Sequence, residues 1–128
     1  MKIHSTYIMV NDLENAIKFY HEVLGFIIKK EIFFGTIKSV KIVSQEEPEG
    51  LALDLSLVDQ SPAIAIQQAF YNAQFPIMTF KLDNIDFEYE KLIKLGVRFI
   101  APPDSLLGAS EAIFDDTCGN YIRLLQTE

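Results

Sequence analysis

The sequence predicts an α+β domain made of two β-α-β-β-β units. In the first half, an apolar run is followed by apolar residues at helical spacing and then by three strand-like stretches. The second half of the chain repeats this order. Because each unit is too small to bury its own sheet face alone, we expect the halves to pair around a shared groove, where a ligand would bind.

The composition predicts a single globular domain. The chain has 128 residues, of which 49% are hydrophobic and 23% are charged, and a chain of this size buries about two-thirds of its unfolded surface. The net charge is −7 and basic residues are scattered, so neither nucleic acid nor an anionic membrane is expected as a partner. The N-terminus lacks a signal-peptide pattern, and no apolar run is long enough to span a bilayer. We therefore expect a cytoplasmic protein.

The first unit begins with a strand predicted at residues 7–10. Asn11 and Asp12 then precede apolar residues at helical spacing, and this helix is predicted to end at Gly25. Asn11 and Glu14 fit a capping box, or Asp12 caps the helix instead. A charged surface loop is predicted at residues 44–50. The remaining strands of this unit are predicted at residues 26–34, 36–43 and 51–58.

The second unit follows the same plan. Its first strand is predicted at residues 77–82, its helix opens at Asp83-Asn84, and Leu95-Gly96 corresponds to Leu24-Gly25 at the helix end. Its other strands are predicted at residues 97–100, 109–114 and 120–126.

The modules are therefore expected at about residues 1–58 and 76–128 of one domain, joined by residues 59–75. This connection is long. It contains a candidate short helix at residues 63–69 and serves either as a lid or linker or as a plain surface crossover.

Several motifs resemble a known family. The first half contains VNDLENAIKFY at residues 10–20 and VLGF at residues 23–26. The second half contains LDNID at 82–86, GVRF at 96–99, then a proline pair, Gly108 and FDDTCGN at 114–120. In this order the chain resembles the vicinal oxygen chelate superfamily, the glyoxalase, bleomycin resistance and extradiol dioxygenase group. The resemblance implies two βαβββ modules that form a cupped, incomplete barrel with the ligand site in the cup. It also suggests a homodimer, which would cover exposed sheet edges.

Metal-dependent members of this superfamily hold a cation on four strand positions, one on the first and one on the last strand of each module. The resemblance places these positions at Ser5, Asp54, Ile77 and Arg123. Only Asp54 is a plausible ligand, because isoleucine has no donor atom and arginine is permanently positive. His4 lies one residue from the first position, and only a bulge or misalignment would turn it to the same face.

Alternation along the strands predicts which side chains line the cup. In residues 51–57 the four leucines are expected to face the helices, so that Ala52, Asp54 and Ser56 face the cup. The same reasoning makes the cup mostly apolar and aromatic, as is usual for a small-molecule site. The predicted ligand-binding residues are Ser5, Tyr7, Met9, Asp54, Ser56, Ile77, Thr79, Tyr121 and Arg123.

The other reactive side chains are not predicted to form a catalytic site. Cys118 lies in a turn with no histidine expected nearby, and His21 is expected to be a solvated residue on the first helix. The chain has no Ser-His-Asp set and no glycine-rich phosphate loop. Asp54 and Arg123 occupy equivalent strands, and we expect them to pair with each other or with an anionic ligand.

These observations favour a small-molecule binder that has lost the family metal-ligand set and needs no cofactor. The alternative is a metal-dependent lyase or dioxygenase of the same superfamily that uses Asp54 with His4 or with donors from a partner chain. A third alternative is a protein association domain, which would apply if the cup were filled by the chain's own side chains.

Overall fold

The structure is a computed structural model that describes residues 1–106 and 108–127. Leu107 and Glu128, which belong to the predicted second module, lie outside the described residues. The chain divides into two compact units, Met1–Gln67 (unit 1) and Gln68–Glu128 (unit 2). The division falls within a helix, α2 (Ser61–Asn72), that occupies most of the connection predicted at residues 59–75.

Each unit has the order β-α-β-β-β. Unit 1 contains β1 (Ser5–Val10), α1 (Leu13–Ile17) continued by a π-helix (Lys18–Val23), β2 (Ile27–Phe34), β3 (Ile37–Val43) and β4 (Ala52–Leu57). Unit 2 contains β5 (Met78–Lys81), α3 (Ile85–Lys94), β6 (Phe99–Leu106), β7 (Ala109–Asp115) and β8 (Tyr121–Thr127). The predicted α+β class and the two βαβββ modules are confirmed.

The two sheets share one topology. Sheet 1 has the strand order β1-β4-β3-β2, and sheet 2 has the order β5-β8-β7-β6. In each sheet the first strand runs parallel to the last, and the other pairs are antiparallel. The sheets are open, so that β2 is an edge strand of sheet 1 and β6 an edge strand of sheet 2.

Each unit buries one face of its sheet against its helix. The core of unit 1 includes Ile8, Val10, Tyr20, Val40, Ile42 and Leu55. The core of unit 2 includes Ile85, Leu92, Ala112, Phe114, Ile122 and Leu124. Because successive strand residues point to opposite sides, the alternate residues of β1 and β4 are carried to the other face of sheet 1.

The helix ends follow the sequence signals. Of the two caps left open, Asp12 is the one used, since its Oδ1 accepts a hydrogen bond from the N–H of Asn15 at 3.0 Å. Asn84 caps α3 in the same way through the N–H of Phe87, at 3.1 Å. Gly25 (φ +85°) and Gly96 (φ +87°) both adopt the left-handed conformation that ends a helix.

Three predictions about the elements were wrong in extent. The strand predicted at 97–100 continues to Leu106 through Pro102 and Pro103, because β6 is an edge strand and its pairing shifts register around the prolines. The helix predicted at 63–69 is longer, since α2 spans Ser61–Asn72. Leu51 precedes β4 and is 52% exposed rather than packed against a helix. No helix among the described residues is long and apolar enough to cross a membrane.

Candidate functional site

A pocket lies in unit 1 where the parallel strands β1 and β4 end and the chain enters α2. Its volume is about 230 Å³. Three of the predicted ligand-binding residues lie in its wall, namely Tyr7, Met9 and Ser56. The rest of the wall is formed by Leu57, Val58, Asp59, Gln60 and Ala63. Most of this lining is apolar, and Tyr7, Ser56, Asp59 and Gln60 are the residues of the wall that carry polar groups.

Strand alternation and a hydrogen bond between α2 and β1 build this pocket. Tyr7 and Met9 lie on the face of β1 opposite to the buried Ile8 and Val10. The Nε2 of Gln67 donates to the carbonyl oxygen of Met9 at 2.9 Å, which holds α2 beside β1. Gln67 itself is buried. The ring of Tyr7 is 63% exposed, so it is accessible to a ligand.

An ion pair lies beside the pocket on the same face of sheet 1. The Nζ of Lys41 donates to the Oδ1 of Asp54 at 2.8 Å, and the side chains are 17% and 22% exposed. The register places Asp54 between Tyr7 on β1 and Lys41 on β3. Asp54, the one plausible metal ligand among the four family positions, is therefore already engaged by an ammonium group.

The next row of side chains across the sheet, formed by Met9, Ser56 and Ser39, contains two serines. The hydroxyl groups of Ser39 and Ser56 are 3.3 Å apart, and Ser56 pairs in register with Met9. Ser5 lies at the start of β1, in register with Ala52. We call the face defined by Ser5, Tyr7, Met9, Ser39, Lys41, Asp54 and Ser56 the polar face of sheet 1.

In unit 2, Arg123 also has local partners. Its Nε donates to the hydroxyl of Thr79, and its Nη1 donates to the carboxylate of Glu111, both at 3.2 Å. Thr79 is its register neighbour on β5. Asp54 and Arg123, which the sequence pairs with each other, therefore each have an oppositely charged partner within their own sheet. Ile77 supplies only a backbone N–H, which donates to the carbonyl of Tyr121 at 3.0 Å.

Tyr121 is buried in a cluster at one end of sheet 2. Its ring stacks on that of Tyr71 from α2, with 4.5 Å between the ring centroids and 5° between the planes. The hydroxyl of Tyr71 donates to Asp115 Oδ2 at 2.6 Å, and Arg98 donates to the same oxygen at 2.5 Å. The N–H of Thr117 donates to Asp115 Oδ1 at 2.8 Å.

These contacts shift the pKa values of Tyr71 and Asp115. The hydrogen bond to Asp115 raises the pKa of Tyr71 above its ordinary range, because loss of the hydroxyl proton would place two anions side by side. Burial acts to raise the pKa of Asp115, but the hydrogen bonds from Tyr71, the Thr117 N–H and Arg98 together hold it below its ordinary value. The cluster is thus most stable with a neutral phenol and an ionised carboxylate.

The other reactive residues lie apart from these features. His4 is exposed and precedes β1, and the exposed His21 donates from Nδ1 to the carbonyl of Phe26 at 2.7 Å. Cys118 is fully buried in the turn before β8. Among the described residues, no three His, Cys, Asp or Glu side chains converge in a group that could hold a metal ion.

Sequence reasoning missed several residues of these sites, among them Lys41, Asp59, Gln60 and Tyr71. The alternation of Ser39 and Lys41 with the apolar Val40 and Ile42 is a signal that would have assigned Lys41 to the polar face. Asp59, Gln60 and Tyr71 lie in the segment predicted as a connection. No local pattern distinguishes their roles.

Comparison with known proteins agrees with this fold. The chain is 35% identical over 126 residues to YurT, an uncharacterised protein of Bacillus subtilis (strain 168), covering 98% of this chain and 99% of YurT. Its structure is similar to that of UcmS2, with a TM-score of 0.84, 24% identity and coverage of 98% of this chain and 97% of UcmS2. It is also similar to TnmS3, an antibiotic-binding protein from Streptomyces sp. CB03234, with a TM-score of 0.76, 22% identity and coverage of 100% of this chain and 97% of TnmS3.

The family model for the glyoxalase/bleomycin resistance protein/dioxygenase superfamily matches residues 2–124. This match covers nearly the whole chain and agrees with the motifs in both modules. The protein therefore belongs to the glyoxalase/bleomycin resistance protein/dioxygenase superfamily.

Proposed function

We propose that this protein binds a small organic molecule in the pocket of unit 1 and on the adjoining polar face of sheet 1, without a bound metal ion. The observation that carries the proposal is the cavity of about 230 Å³ at the ends of β1 and β4. A concave site with mostly apolar walls and a few polar groups is the usual form of a small-molecule site. The likeness of fold to TnmS3, an antibiotic-binding protein, supports the same class of function.

The donor chemistry supports binding without a metal. A divalent cation at Asp54 would lie beside the ammonium group of Lys41, which already occupies the carboxylate at 2.8 Å. At the equivalent position in unit 2, Arg123 carries a permanent positive charge. Ile77 has no donor side chain, so the four family positions do not fit a metal site.

The proposed contacts lie in unit 1. They are Ser5, Tyr7, Met9, Asp54 and Ser56, with Tyr7 and Met9 contacting the apolar part of the ligand. Ile77, Thr79, Tyr121 and Arg123 of unit 2 stay a prediction. For Tyr121 the ligand would have to reach a ring that Tyr71 already covers.

A thermal-shift screen of antibiotics, metabolites and metal salts tests the proposal, because a ligand of the native state raises the melting temperature. In Ala63→Phe the new ring fills the pocket, so the shift caused by any organic hit should disappear. Ala65→Phe, at an exposed position of the same helix, should keep it. An organic hit whose thermal shift persists in Ala63→Phe would contradict the proposal. So would about one equivalent of tightly bound transition metal that is lost in Asp54→Ala.

We also propose a symmetric homodimer. The edge strand β2 with its exposed Phe33 and Phe34, and the exposed Ile37 at the start of β3, support this, because unpaired edges favour association. Sedimentation at micromolar concentration should give about twice the chain mass of 14.6 kDa. A monomer over that range would refute the dimer and leave the binding proposal standing.

A further inference from the structure

We infer that the ion pair of Lys41 and Asp54 selects ligands by their polar group, and that the preferred group is neutral and both donates and accepts hydrogen bonds, such as a hydroxyl or a carboxamide. This inference rests on the proposed function. It specifies the chemistry of a ligand whose apolar part lies in the pocket of unit 1.

The pair is next to the pocket. Tyr7 lies in the pocket wall and is the register neighbour of Asp54, which is in turn the neighbour of Lys41. Neighbouring strands are about 4.8 Å apart, so a molecule one or two rings long can contact both the pocket and the pair.

The pair has unused hydrogen-bonding capacity. Within residues 1–106 and 108–127, the ammonium group of Lys41 and the carboxylate of Asp54 form side-chain hydrogen bonds only with each other. An ammonium group has three N–H donors and a carboxylate has two acceptor oxygens. Two N–H groups of Lys41 and the Oδ2 of Asp54 therefore remain for a ligand.

The pair is partly withdrawn from water and still accessible. The side chains of Lys41 and Asp54 are 17% and 22% exposed. A hydrogen bond to a charged group is stronger than one between neutral groups, and it strengthens further when the ligand excludes water.

The pair disfavours a fully charged ligand. A carboxylate or ammonium group on the ligand would meet one attractive and one repulsive charge whose nearest atoms are 2.8 Å apart. Such a group would lose its hydration with little Coulomb energy in return. A hydroxyl or carboxamide loses less hydration and can bond to both residues.

The neighbouring row of the sheet has the same character. The hydroxyl groups of Ser39 and Ser56 lie 3.3 Å apart, and each can donate and accept. The two rows together therefore present no net charge to a ligand. They match a neutral molecule with one or two hydroxyl, phenol or amide groups.

Four naphthalene probes test the inference: 2-naphthol, 2-naphthamide, 2-naphthoate and 2-naphthylmethylammonium. The chain has no tryptophan, so the naphthalene fluorescence can be excited selectively. We expect 2-naphthol and 2-naphthamide to bind about tenfold more tightly than the two charged probes. All binding should disappear in Ala63→Phe.

Removing one member of the pair should change which probe binds most tightly, and the two single variants should favour probes of opposite charge. Lys41→Met leaves the carboxylate alone, so the ammonium probe should become the tightest, and Asp54→Leu should favour 2-naphthoate. Lys38→Met removes the same charge from an exposed position of the same strand and should keep the wild-type order. The double variant Lys41→Asp/Asp54→Lys restores a pair and should regain the preference for neutral probes.

The outcomes distinguish the two proposals. If all four probes bind alike and all are lost in Ala63→Phe, or if Lys41→Met and Asp54→Leu keep the wild-type order, the inference is wrong and the pocket is still the binding site. If the probes do not bind, or if they bind equally well to Ala63→Phe, the proposed site is wrong as well.

Discussion

The two units share one topology but carry different side chains at equivalent positions. Ala52 in β4 corresponds to Tyr121 in β8, because both lie two residues before the charged residue of the last strand. In unit 1 that position holds a small buried alanine, and Tyr7, the register neighbour of Asp54, is 63% exposed in the wall of the pocket. In unit 2 it holds a large ring, which α2 covers with the ring of Tyr71. A duplicated module can therefore keep its fold while one copy leaves a surface accessible and the other uses it for packing.

The ion pairs differ in the opposite direction, because the pair in unit 1 is the less exposed one. Lys41 and Asp54 are 17% and 22% exposed, whereas Arg123 and Glu111 are 38% and 50% exposed. The contact is also shorter in unit 1, 2.8 Å against 3.2 Å. Because water screens the more exposed pair, similar charges on the two sheets should contribute different amounts to stability.

The largest expected effect concerns the chain turn before the last strand of each unit. In unit 2, Asp116 is fully buried and accepts hydrogen bonds from the N–H groups of Cys118 and Asn120 and from the Asn120 side chain. Asp116→Ala leaves these buried donors without an acceptor and should lower the free energy of unfolding by about 3 kcal/mol. Glu46→Ala, in the exposed loop of unit 1, should change it by less than about 0.5 kcal/mol. Urea unfolding measures both, and similar losses would contradict the contrast between the turns.

The second prediction separates packing from binding. Tyr71→Ala removes a stacked ring and a hydrogen bond to Asp115, so it should destabilise the protein by about 2 kcal/mol. Tyr7→Ala removes an exposed ring, so stability should change by less than about 0.5 kcal/mol while naphthalene probes bind more weakly. Thermal unfolding and fluorescence titration of both variants check this. A stability loss in Tyr7→Ala as large as that in Tyr71→Ala would remove the distinction between the two tyrosines.

The third prediction compares the ion pairs by double-mutant cycles. We expect a coupling energy of about 1–2 kcal/mol between Lys41 and Asp54, because the pair is largely withdrawn from solvent. For Arg123 and Glu111 we expect less than about 1 kcal/mol. The variants Lys41→Met, Asp54→Leu, Arg123→Leu and Glu111→Leu, with the two doubles, complete both cycles. Equal coupling energies would show that exposure does not explain the difference between the sheets.

The smallest expected effect is a pH dependence confined to unit 2. The pKa of Asp115 is lowered on folding, so this carboxylate stabilises the protein above the ordinary carboxyl pKa of about 4 and loses that contribution as the pH falls through the folded pKa. The pKa of Tyr71 is raised, so its contribution is present below about pH 10 and is lost at higher pH. Unfolding free energies measured at both extremes should vary less with pH in Tyr71→Phe than in the wild type.

Titration of the tyrosine absorbance provides an independent measurement. The chain has 5 tyrosines, and the raised pKa of Tyr71 should make this residue ionise late in the folded protein. Loss of a late-ionising tyrosine in Asp115→Asn would support the assignment. An unchanged titration in that variant would refute it.

Local periodicity was enough to predict the order of the elements. The helix with Ala16 and Tyr20 at core positions, and the alternation of Ile8 and Val10 with Tyr7 and Met9, depend on neighbours in the chain. The same alternation assigned Tyr7, Met9 and Ser56 to one face of the sheet, and all three lie in the pocket wall. Pro102 and Pro103 led to a premature strand end, because a central strand cannot accommodate them and an edge strand can.

The partners of the site residues required the register of the folded sheet. Lys41 and Asp54 are 13 residues apart, and their contact depends on how β3 aligns with β4. Tyr71 and Tyr121 come from a helix and a strand that are distant in sequence. One-residue changes in register would alter each of these contacts without altering the local hydrophobic pattern. For this reason the sequence led us to pair Asp54 with Arg123 or with an anionic ligand, whereas the register gives Asp54 the partner Lys41 and Arg123 the partner Glu111.

The π-helix after α1 accommodates a difference of one residue in the length of the helical segment between the two repeats. Gly25 lies 13 residues after the cap Asp12, whereas Gly96 lies 12 residues after the cap Asn84. The N–H of Leu24 donates to the carbonyl of Phe19, five residues earlier, so this turn takes up one residue more than an α-helical turn. The extra residue of the first repeat is thus held within the helix, and both ends of the helix keep their caps. Deleting one residue between Lys18 and Val23 should convert the segment to a regular α-helix, so the two halves can differ by an insertion without a change in the loops that connect their strands.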